Sequence, residues 1–301
     1  MMKKISRPRR SVLYVPASNP RAMQKSVTLA ADAIIFDLED SVAPEAKAEA
    51  REALRAHFRE HPVAAFERII RINPLVSQWG GEDILAARAC NPDAILLPKV
   101  DHPRNLIEAA TALDEADAAY TMELWAMIET PRGILNADEV ARLGSHSSAR
   151  LGCFVIGPND IARETGVDLT GGRMFLVPWL MQIVLAARAG GLDVLDGVYN
   201  DFGDAEGFAR ECRQGAAMGF DGKTLIHPSQ VDAANRSFSP DETEIAEARA
   251  IVELFMRPEN ADKGVLSFDG RMVERLHLAQ AERLLAKANM IATPDKDIQR
   301  R

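Results

Sequence analysis

Two apolar runs in this 301-residue chain each end on a carboxylate that is followed or preceded by turn residues. Residues 126–133 read Ala-Met-Ile-Glu-Thr-Pro-Arg-Gly and place Glu129 after the run, and residues 154–160 read Phe-Val-Ile-Gly-Pro-Asn-Asp and end on Asp160. A third apolar run contains an arginine, Arg71. In a parallel barrel the carboxyl ends of all strands share one rim, so we expect these side chains to converge there. Oxygen ligands of this kind favour Mg²⁺, with Mn²⁺ as the alternative.

Three acids, Asp37, Glu39 and Asp40, follow a fourth apolar run. A solvated loop seldom begins with aspartate directly after Ile-Ile-Phe. Like charges on a rim bind a cation or raise one another's pKa, so we interpret Glu39 and Asp40 as candidate catalytic groups. The alternative is that these acids cap the helix expected from Pro44.

Arg71 is open to two interpretations, because a buried guanidinium needs an anionic partner. It forms a structural pair with one of those acids, or it binds a substrate carboxylate or a developing oxyanion; we favour the second. Lys99 follows the fourth expected strand and is either a substrate-binding cation on the rim or an ordinary surface lysine.

Basic residues also occur in two segments that become neighbours if a barrel closes. Residues 19–25 follow the first expected strand, and residues 222–230 join the eighth strand to its helix. Arg21, Lys25 and Lys223 in these segments would suit the phosphates of a nucleotide-type tail.

The elements that must position these residues alternate regularly along the chain. Helical patterns, clearest at residues 44–59, separate eight short apolar runs that are typical of buried parallel strands. This alternation predicts a (β/α)₈ barrel; an open doubly wound sheet is disfavoured because no glycine-rich fingerprint follows the first strand. The expected strands are residues 12–15, 33–36, 68–72, 94–97, 124–128, 153–156, 193–198 and 223–226.

The pattern changes near the end of the chain, which predicts two domains: a barrel over residues 1–257 and a C-terminal extension over residues 258–301. The extension reads as a hairpin or turn at 264–270 and a helix at 274–289. The extension is either a lid, or a segment exchanged between subunits, or a segment that only packs against the rest of the protein.

Composition narrows the classes of function. A net charge of −8 without a basic stripe argues against nucleic acid as the partner. The three cysteines are far apart and lack CxxC spacing, which disfavours a zinc site or a disulfide framework. The most apolar helical stretch, residues 174–187, is too short to span a membrane. We therefore expect a cytoplasmic protein.

The chain resembles the citrate lyase β-subunit-like branch of the HpcH/HpaI aldolase superfamily, which includes malyl-CoA and citramalyl-CoA lyases. The resemblance covers about residues 10–285. It rests on an ordered set of segments: residues 10–16, 36–44 with Lys47, 71–73, 97–99, 128–133, 157–160, 222–223 with 226–230, and 269–272.

This resemblance implies a (β/α)₈ barrel that uses Mg²⁺ and acts on a CoA thioester. It implies that Glu129 and Asp160 bind the metal and that Arg71 stabilises an enolate oxygen. It also implies a homo-oligomer, a trimer or a hexamer. The residues on the CoA side would be Arg21, Lys25, Lys223 and His227.

The resemblance further implies an acid/base carboxylate supplied by the extension of a neighbouring subunit. CoA-dependent relatives have an aspartate there, whereas this chain has Glu274, whose side chain is one methylene longer. The alternative is that Glu274 only caps the final helix.

The implied reaction is Mg²⁺-dependent cleavage of a 3-hydroxyacyl-CoA into an acyl-CoA, such as acetyl-CoA, and an α-keto acid. Three alternatives stay open. The protein is a citryl-carrier-protein lyase subunit, a CoA-independent keto-acid aldolase, or a metabolite-binding barrel without chemistry. The second would need a histidine on the rim, and His102 and His146 lie in helical or loop stretches.

Overall fold

The structure, a computed structural model, describes residues 7–292; residues 1–6 and 293–301, the outer ends of the two predicted domains, lie outside the described residues. The chain divides into two compact units, residues 9–238 and residues 7–8 with 239–292. Within the described residues no helix is long and apolar enough to cross a membrane.

The first unit is a closed barrel of eight parallel strands in sequence order, in which β8 pairs back onto β1. The predicted fold is confirmed, and every strand begins and ends within two residues of its predicted bounds. The strands are β1 (Ser11–Pro16), β2 (Ala33–Asp37), β3 (Glu67–Arg71), β4 (Ala94–Leu97), β5 (Glu123–Ile128), β6 (Leu151–Ile156), β7 (Asp193–Asp196) and β8 (Gly222–Leu225).

Ten helices connect or follow these strands in the described part of the barrel unit. Two short helices, α1 and α7, fall in segments for which the sequence predicted no helix, because seven or eight residues are too few for a clear apolar period. The helices are α1 (Pro20–Ser26), α2 (Lys47–Glu60), α3 (Gly80–Cys90), α4 (Pro103–Glu115), α5 (Pro131–Leu135), α6 (Ala137–Ala141), α7 (Pro158–Thr165), α8 (Val177–Ala189), α9 (Ala205–Met218) and α10 (Val231–Ser237).

Side chains alternate between the barrel interior and the helix-facing side, as strand geometry requires. The interior cluster includes Val12, Ile35, Trp125 and Met127, with Tyr14 packed against it. A larger apolar cluster lies between the strands and the surrounding helices. The interior is therefore filled, and polar chemistry is confined to the ends of the barrel.

One end of the barrel is tied by a single arginine. The Arg9 guanidinium donates to both carboxylate oxygens of Glu67 at 2.8 and 2.7 Å, to Glu123 at 3.0 Å and to Asp193 at 2.8 Å. It also lies 4.6 Å from the centre of the Trp125 ring. These three acids begin β3, β5 and β7, so Arg9 links the odd-numbered strands at their amino ends.

The second unit contains α11 (Glu242–Met256), a hairpin of β9 (Val265–Phe268) and β10 (Arg271–Glu274), and α12 (Arg275–Ala292). The predicted helix and hairpin of the extension are present. Helix α11 shares an apolar core with this hairpin and α12, so it belongs to this unit, whereas the sequence boundary after residue 257 assigned it to the barrel.

Candidate active site

The carboxyl ends of β2 and β3 bring Asp37 and Arg71 side by side, because the strand register pairs these two residues directly. Arg71 Nε donates to Asp37 Oδ1 at 2.7 Å and Nη2 donates to Oδ2 at 2.6 Å. Backbone amides of Glu39 and Ser41 donate to the same carboxylate. Burial alone would raise the pKa of Asp37, but the Arg71 guanidinium and these hydrogen bonds hold it below its usual value.

Glu39 lies beside this pair and is also buried. Its Oε2 is 3.0 Å from Arg71 Nη1, yet among the described residues it has no aligned hydrogen-bond donor. Its other oxygen faces Lys99 Nζ at 3.4 Å. Burial raises the pKa of Glu39 above its ordinary value, with Arg71 opposing the rise. Glu39 is thus a carboxylate with an uncommitted oxygen, suited to exchanging a proton.

Two buried side chains hold the loop that carries Glu39. Lys47 Nζ donates to the backbone oxygens of Leu38 and Glu39, each at 2.9 Å. Asn73 Nδ2 donates to the Leu38 oxygen at 2.8 Å. The loop is therefore held from the start of α2 and from the segment after β3, which keeps Glu39 in place.

Glu129 follows β5 and is almost fully buried, with 1% of its surface exposed. Its Oε1 accepts the Lys99 backbone amide at 2.8 Å, and no lysine or arginine side chain in the described chain forms an ion pair with it. Burial, followed by the charge of Glu39 and then that of Asp160, raises the pKa of Glu129 to about 8. A carboxylate in this state favours a bound cation or a proton.

Gly157 leaves room for Glu129. A Cβ at residue 157 would lie 2.5 Å from both Cβ and Oε2 of Glu129, closer than non-bonded atoms approach. Lys99, which donates its amide to Glu129, has φ of 51°, a left-handed conformation that is uncommon for a lysine. The backbone on both sides is thus shaped around this one carboxylate.

Asp160 lies in the first turn of α7 and is buried, and its charge acts on Glu129. Its side chain pairs with the largely exposed Arg163, which has room to move aside. No group of three or more histidine, cysteine, aspartate or glutamate side chains in residues 7–292 is arranged to hold a metal ion. Glu129 and Asp160 fit Mg²⁺ nevertheless, because this ion is commonly held by one or two carboxylates together with waters and substrate.

The remaining predicted site residues have different surroundings. Asp40 is exposed, and Asp37, one of the three acids noted in the sequence but not proposed there as catalytic, takes the position beside Arg71. Arg21 and Lys25 are exposed on α1, and His227 is exposed after β8, where its ring stacks on Phe202.

Lys223 corrects one sequence interpretation. It is fully buried, and its amino group donates to Asp196 at 3.0 Å, to Glu211 at 2.8 Å and to the Gly197 oxygen. A lysine has three ammonium hydrogens, and these three acceptors satisfy them. Lys223 therefore neutralises Asp196 inside the barrel unit and offers no donor to a phosphate.

Glu274 ends β10 in the second unit and is partly buried, and its backbone amide donates to the His277 ring at 2.9 Å. Its predicted role as an acid stays a prediction. Tyr14 is the barrel residue that the sequence analysis missed, although it follows the alternation that points Val12 into the barrel.

A family model for HpcH/HpaI aldolase/citrate lyase matches residues 10–228. The chain belongs to this family. This family member is 45% identical over 285 residues to the (3S)-malyl-CoA thioesterase of Cereibacter sphaeroides, over 95% of this chain and 96% of the relative. It is 34% identical over 291 residues to the citrate lyase subunit beta of Escherichia coli, over 95% of each chain.

Among solved structures, CitE from Mycobacterium tuberculosis in complex with magnesium, acetoacetate and coenzyme A matches with a TM-score of 0.76 and 29% identity. The match covers 95% of this chain and 100% of that chain. The predicted family is confirmed. Because the relatives include a thioesterase and a lyase subunit, the family fixes an enzyme class that contains both reactions.

Proposed function

We propose that this protein is a Mg²⁺-dependent enzyme for malyl-type CoA thioesters, and that it cleaves their carbon–carbon bond into an acyl-CoA and an α-keto acid. The observation that carries this proposal is Glu129, a buried carboxylate that forms no ion pair with a lysine or arginine of residues 7–292. The charge of Asp160 raises the pKa of Glu129, and the charge of Arg71 lowers it. An acidic pair next to a fixed guanidinium suits a substrate that has oxygens for a metal and a carbonyl that becomes negative.

Glu129 and Asp160 would hold Mg²⁺, which when bound supplies a positive charge to the hydroxyl and carboxylate oxygens of the substrate. Glu39, with its uncommitted oxygen and raised pKa, takes the hydroxyl proton. The electron pair of the carbon–carbon bond then moves toward the thioester, and the hydroxyl carbon becomes the keto-acid carbonyl. Arg71 Nη1 faces the enolate oxygen, and protonation of the enolate carbon gives the acyl-CoA.

The proton for the enolate carbon would come from Glu274 of a neighbouring subunit. Glu274→Gln is then expected to lose turnover while keeping affinity for CoA. An unaffected rate would assign the acid to another group.

Arg21, Lys25 and His227 remain the proposed CoA-binding residues. They follow the paired strands β1 and β8, and their side chains are exposed.

Hydrolysis of the same thioester is the second candidate, favoured by the 45% identity to a (3S)-malyl-CoA thioesterase. Water would give a proton to Glu39 as it adds to the thioester carbonyl, and the carbonyl oxygen would become negative. Collapse of this oxyanion would break the carbon–sulfur bond and expel the CoA thiolate, which takes the proton back from Glu39. Arg71 would serve this oxyanion as it serves the enolate.

The deciding experiment is incubation of the purified protein with malyl-CoA, citramalyl-CoA, 3-methylmalyl-CoA and citryl-CoA, with Mg²⁺ and then with EDTA. Carbon–carbon cleavage of malyl-CoA releases glyoxylate and acetyl-CoA, whereas hydrolysis releases malate and free CoA thiol. Thiol and keto-acid assays therefore separate the two reactions on one substrate. No Mg²⁺-dependent product from any thioester would reject the proposal and favour a carrier-protein or free keto-acid substrate.

A further inference from the structure

Two strong hydrogen-bond donors in the barrel, the Tyr14 hydroxyl and the Arg71 guanidinium, both point at the sulfur atom of Met127. Tyr14 Oη donates toward Met127 Sδ at 3.9 Å, and Arg71 Nη1 donates toward the same Sδ at 3.9 Å. The Tyr14 ring lies under the guanidinium, 4.9 Å from Arg71 Cζ, so the two donors are held together.

The sulfur is a poor partner for both donors, because a thioether accepts hydrogen bonds only weakly. Within residues 7–292 it is the acceptor found for the Tyr14 hydroxyl. Nε and Nη2 of Arg71 donate to Asp37. Nη1 lies 3.0 Å from Glu39 Oε2 but is not aligned for a hydrogen bond with it. A phenol and a guanidinium nitrogen thus converge where an anionic oxygen would bind far better than sulfur.

The point of convergence lies next to the proposed metal ligands. Met127 is on β5, two residues before Glu129. Both side chains lie close to Gly157: a Cβ at residue 157 would be 3.0 Å from Met127 Cε and 2.5 Å from Glu129 Oε2. Methionine is flexible and unbranched, so its sulfur is easily displaced when a ligand enters.

We propose that Tyr14 is a catalytic residue that donates a hydrogen bond, beside Arg71, to the thioester carbonyl oxygen as that oxygen becomes negative. This inference rests on the proposed function. It holds for both candidate reactions, since the enolate of carbon–carbon cleavage and the tetrahedral intermediate of hydrolysis place charge on the same oxygen. Burial raises the pKa of the Tyr14 phenol, so the hydroxyl keeps its hydrogen at neutral pH.

Tyr14→Phe tests the hydroxyl alone, because phenylalanine keeps the ring under Arg71. We expect kcat on the thioester that the wild-type enzyme uses best to fall about 10²-fold, with KM changed less than about twofold, as for loss of one oxyanion donor. Tyr120→Phe is the matched control, since Tyr120 is 64% exposed. Equal thermal unfolding midpoints of the three proteins would exclude misfolding, and an unchanged kcat in Tyr14→Phe would overturn the proposal.

A second measurement separates this proposal from the proposed function. If the wild-type protein turns over no thioester, the function fails, and calorimetric titration of oxalate in the presence of Mg²⁺ still tests Tyr14, since oxalate presents enolate-like oxygens. We expect oxalate to bind Tyr14→Phe at least about tenfold more weakly than wild type and Tyr120→Phe. Equal affinity for the three proteins, or no oxalate binding to any, would overturn the assignment of Tyr14.

Discussion

Arg71 and Asp37 face each other from adjacent strands and share two parallel hydrogen bonds of 2.7 and 2.6 Å. Such a pair fixes the plane of the guanidinium as well as its position. Because Nε and Nη2 are held by Asp37, Nη1, which lies 3.0 Å from Glu39 Oε2 and 3.9 Å from Met127 Sδ, is the nitrogen that can also face a ligand. The two interpretations of Arg71, a structural ion pair and an anion-binding residue, are therefore compatible, because Asp37 orients the guanidinium so that Nη1 can bind an anion.

Asp37→Asn should lower both kcat and the free energy of unfolding, because it removes one charge of a buried ion pair. The amide keeps one acceptor but loses the charge and the second acceptor, so the guanidinium turns away from its working plane, and we expect a loss of roughly 10²-fold. Steady-state kinetics with thermal unfolding measures both effects. Asp117→Asn, at an exposed acid with 98% of its side chain accessible, is the control. Wild-type kcat in Asp37→Asn would show that Arg71 needs no partner.

Glu129→Gln should abolish Mg²⁺ binding. The substitution keeps the shape and the contact with the Lys99 amide but removes the charge that a hard cation needs. Calorimetric titration of Mg²⁺ into the variant measures the loss, and Glu139→Gln, at an exposed glutamate on α6, serves as the control. Mg²⁺-dependent turnover retained in Glu129→Gln would place the metal elsewhere.

Gly157→Ala should weaken Mg²⁺ binding without touching a ligand. A Cβ there would overlap Glu129, whose carboxylate must then shift, and we expect at least about a tenfold weaker Kd for Mg²⁺. Gly81→Ala is the matched control, because a Cβ at that glycine of α3 meets no atom within 4 Å. Its midpoint of unfolding should be unchanged or slightly higher, since alanine favours helix. Equal Mg²⁺ affinity in the two variants would contradict the packing argument.

Lys223→Met should act on stability. Removing one partner of a buried ion pair leaves Asp196 with Arg173 alone, and we expect the free energy of unfolding to fall by about 3–5 kcal/mol. Urea denaturation measures this change. Lys25→Met, at an exposed lysine on α1, should unfold like the wild type but raise KM for the thioester. The reverse pattern, a stable Lys223→Met with raised KM, would restore the phosphate role.

Acid should destabilise the protein partly through His57. Its ring packs 5.3 Å from the ring of Phe36, and burial, followed by the charge of His61, lowers the pKa of His57 to about 4. Since this value lies below that of an unfolded histidine near 6.5, the unfolded chain binds the proton first. The stability present above pH 6.5 is lost as pH falls toward 4, by roughly 3 kcal/mol at most.

His57→Phe should flatten this part of the pH dependence. Urea unfolding of wild type and variant at pH 7 and at pH 4.5 gives the measurement, and carboxylates common to both proteins cancel in the difference. Parallel losses of stability in the two proteins would show that His57 does not contribute.

The sequence predicted the barrel and the rim position of Glu129, Asp160 and Arg71, because both depend on local patterns: alternating elements and polar residues at strand ends. It allowed a pair between Arg71 and one of the acids at residues 37–40 but did not predict that the partner is Asp37. That contact depends on the register of β2 with β3, and the acids of residues 37–40 look alike in one dimension. Nor did it predict the burial of Lys223, since a lysine near a strand end gives no sign of acids that fold across it from β7 and α9.

The hydrogen bonds of Arg9 constrain the order in which contacts can form while this chain is synthesised and folds. Its partner Asp193 lies 184 residues further along the chain, so about two thirds of the polypeptide must be synthesised before Arg9, which precedes β1, can meet its last acid. Contacts so distant in sequence form late and slowly. A nascent chain shorter than this carries an unfinished barrel whose amino end is still open, and that stage is when this protein most needs protection from aggregation.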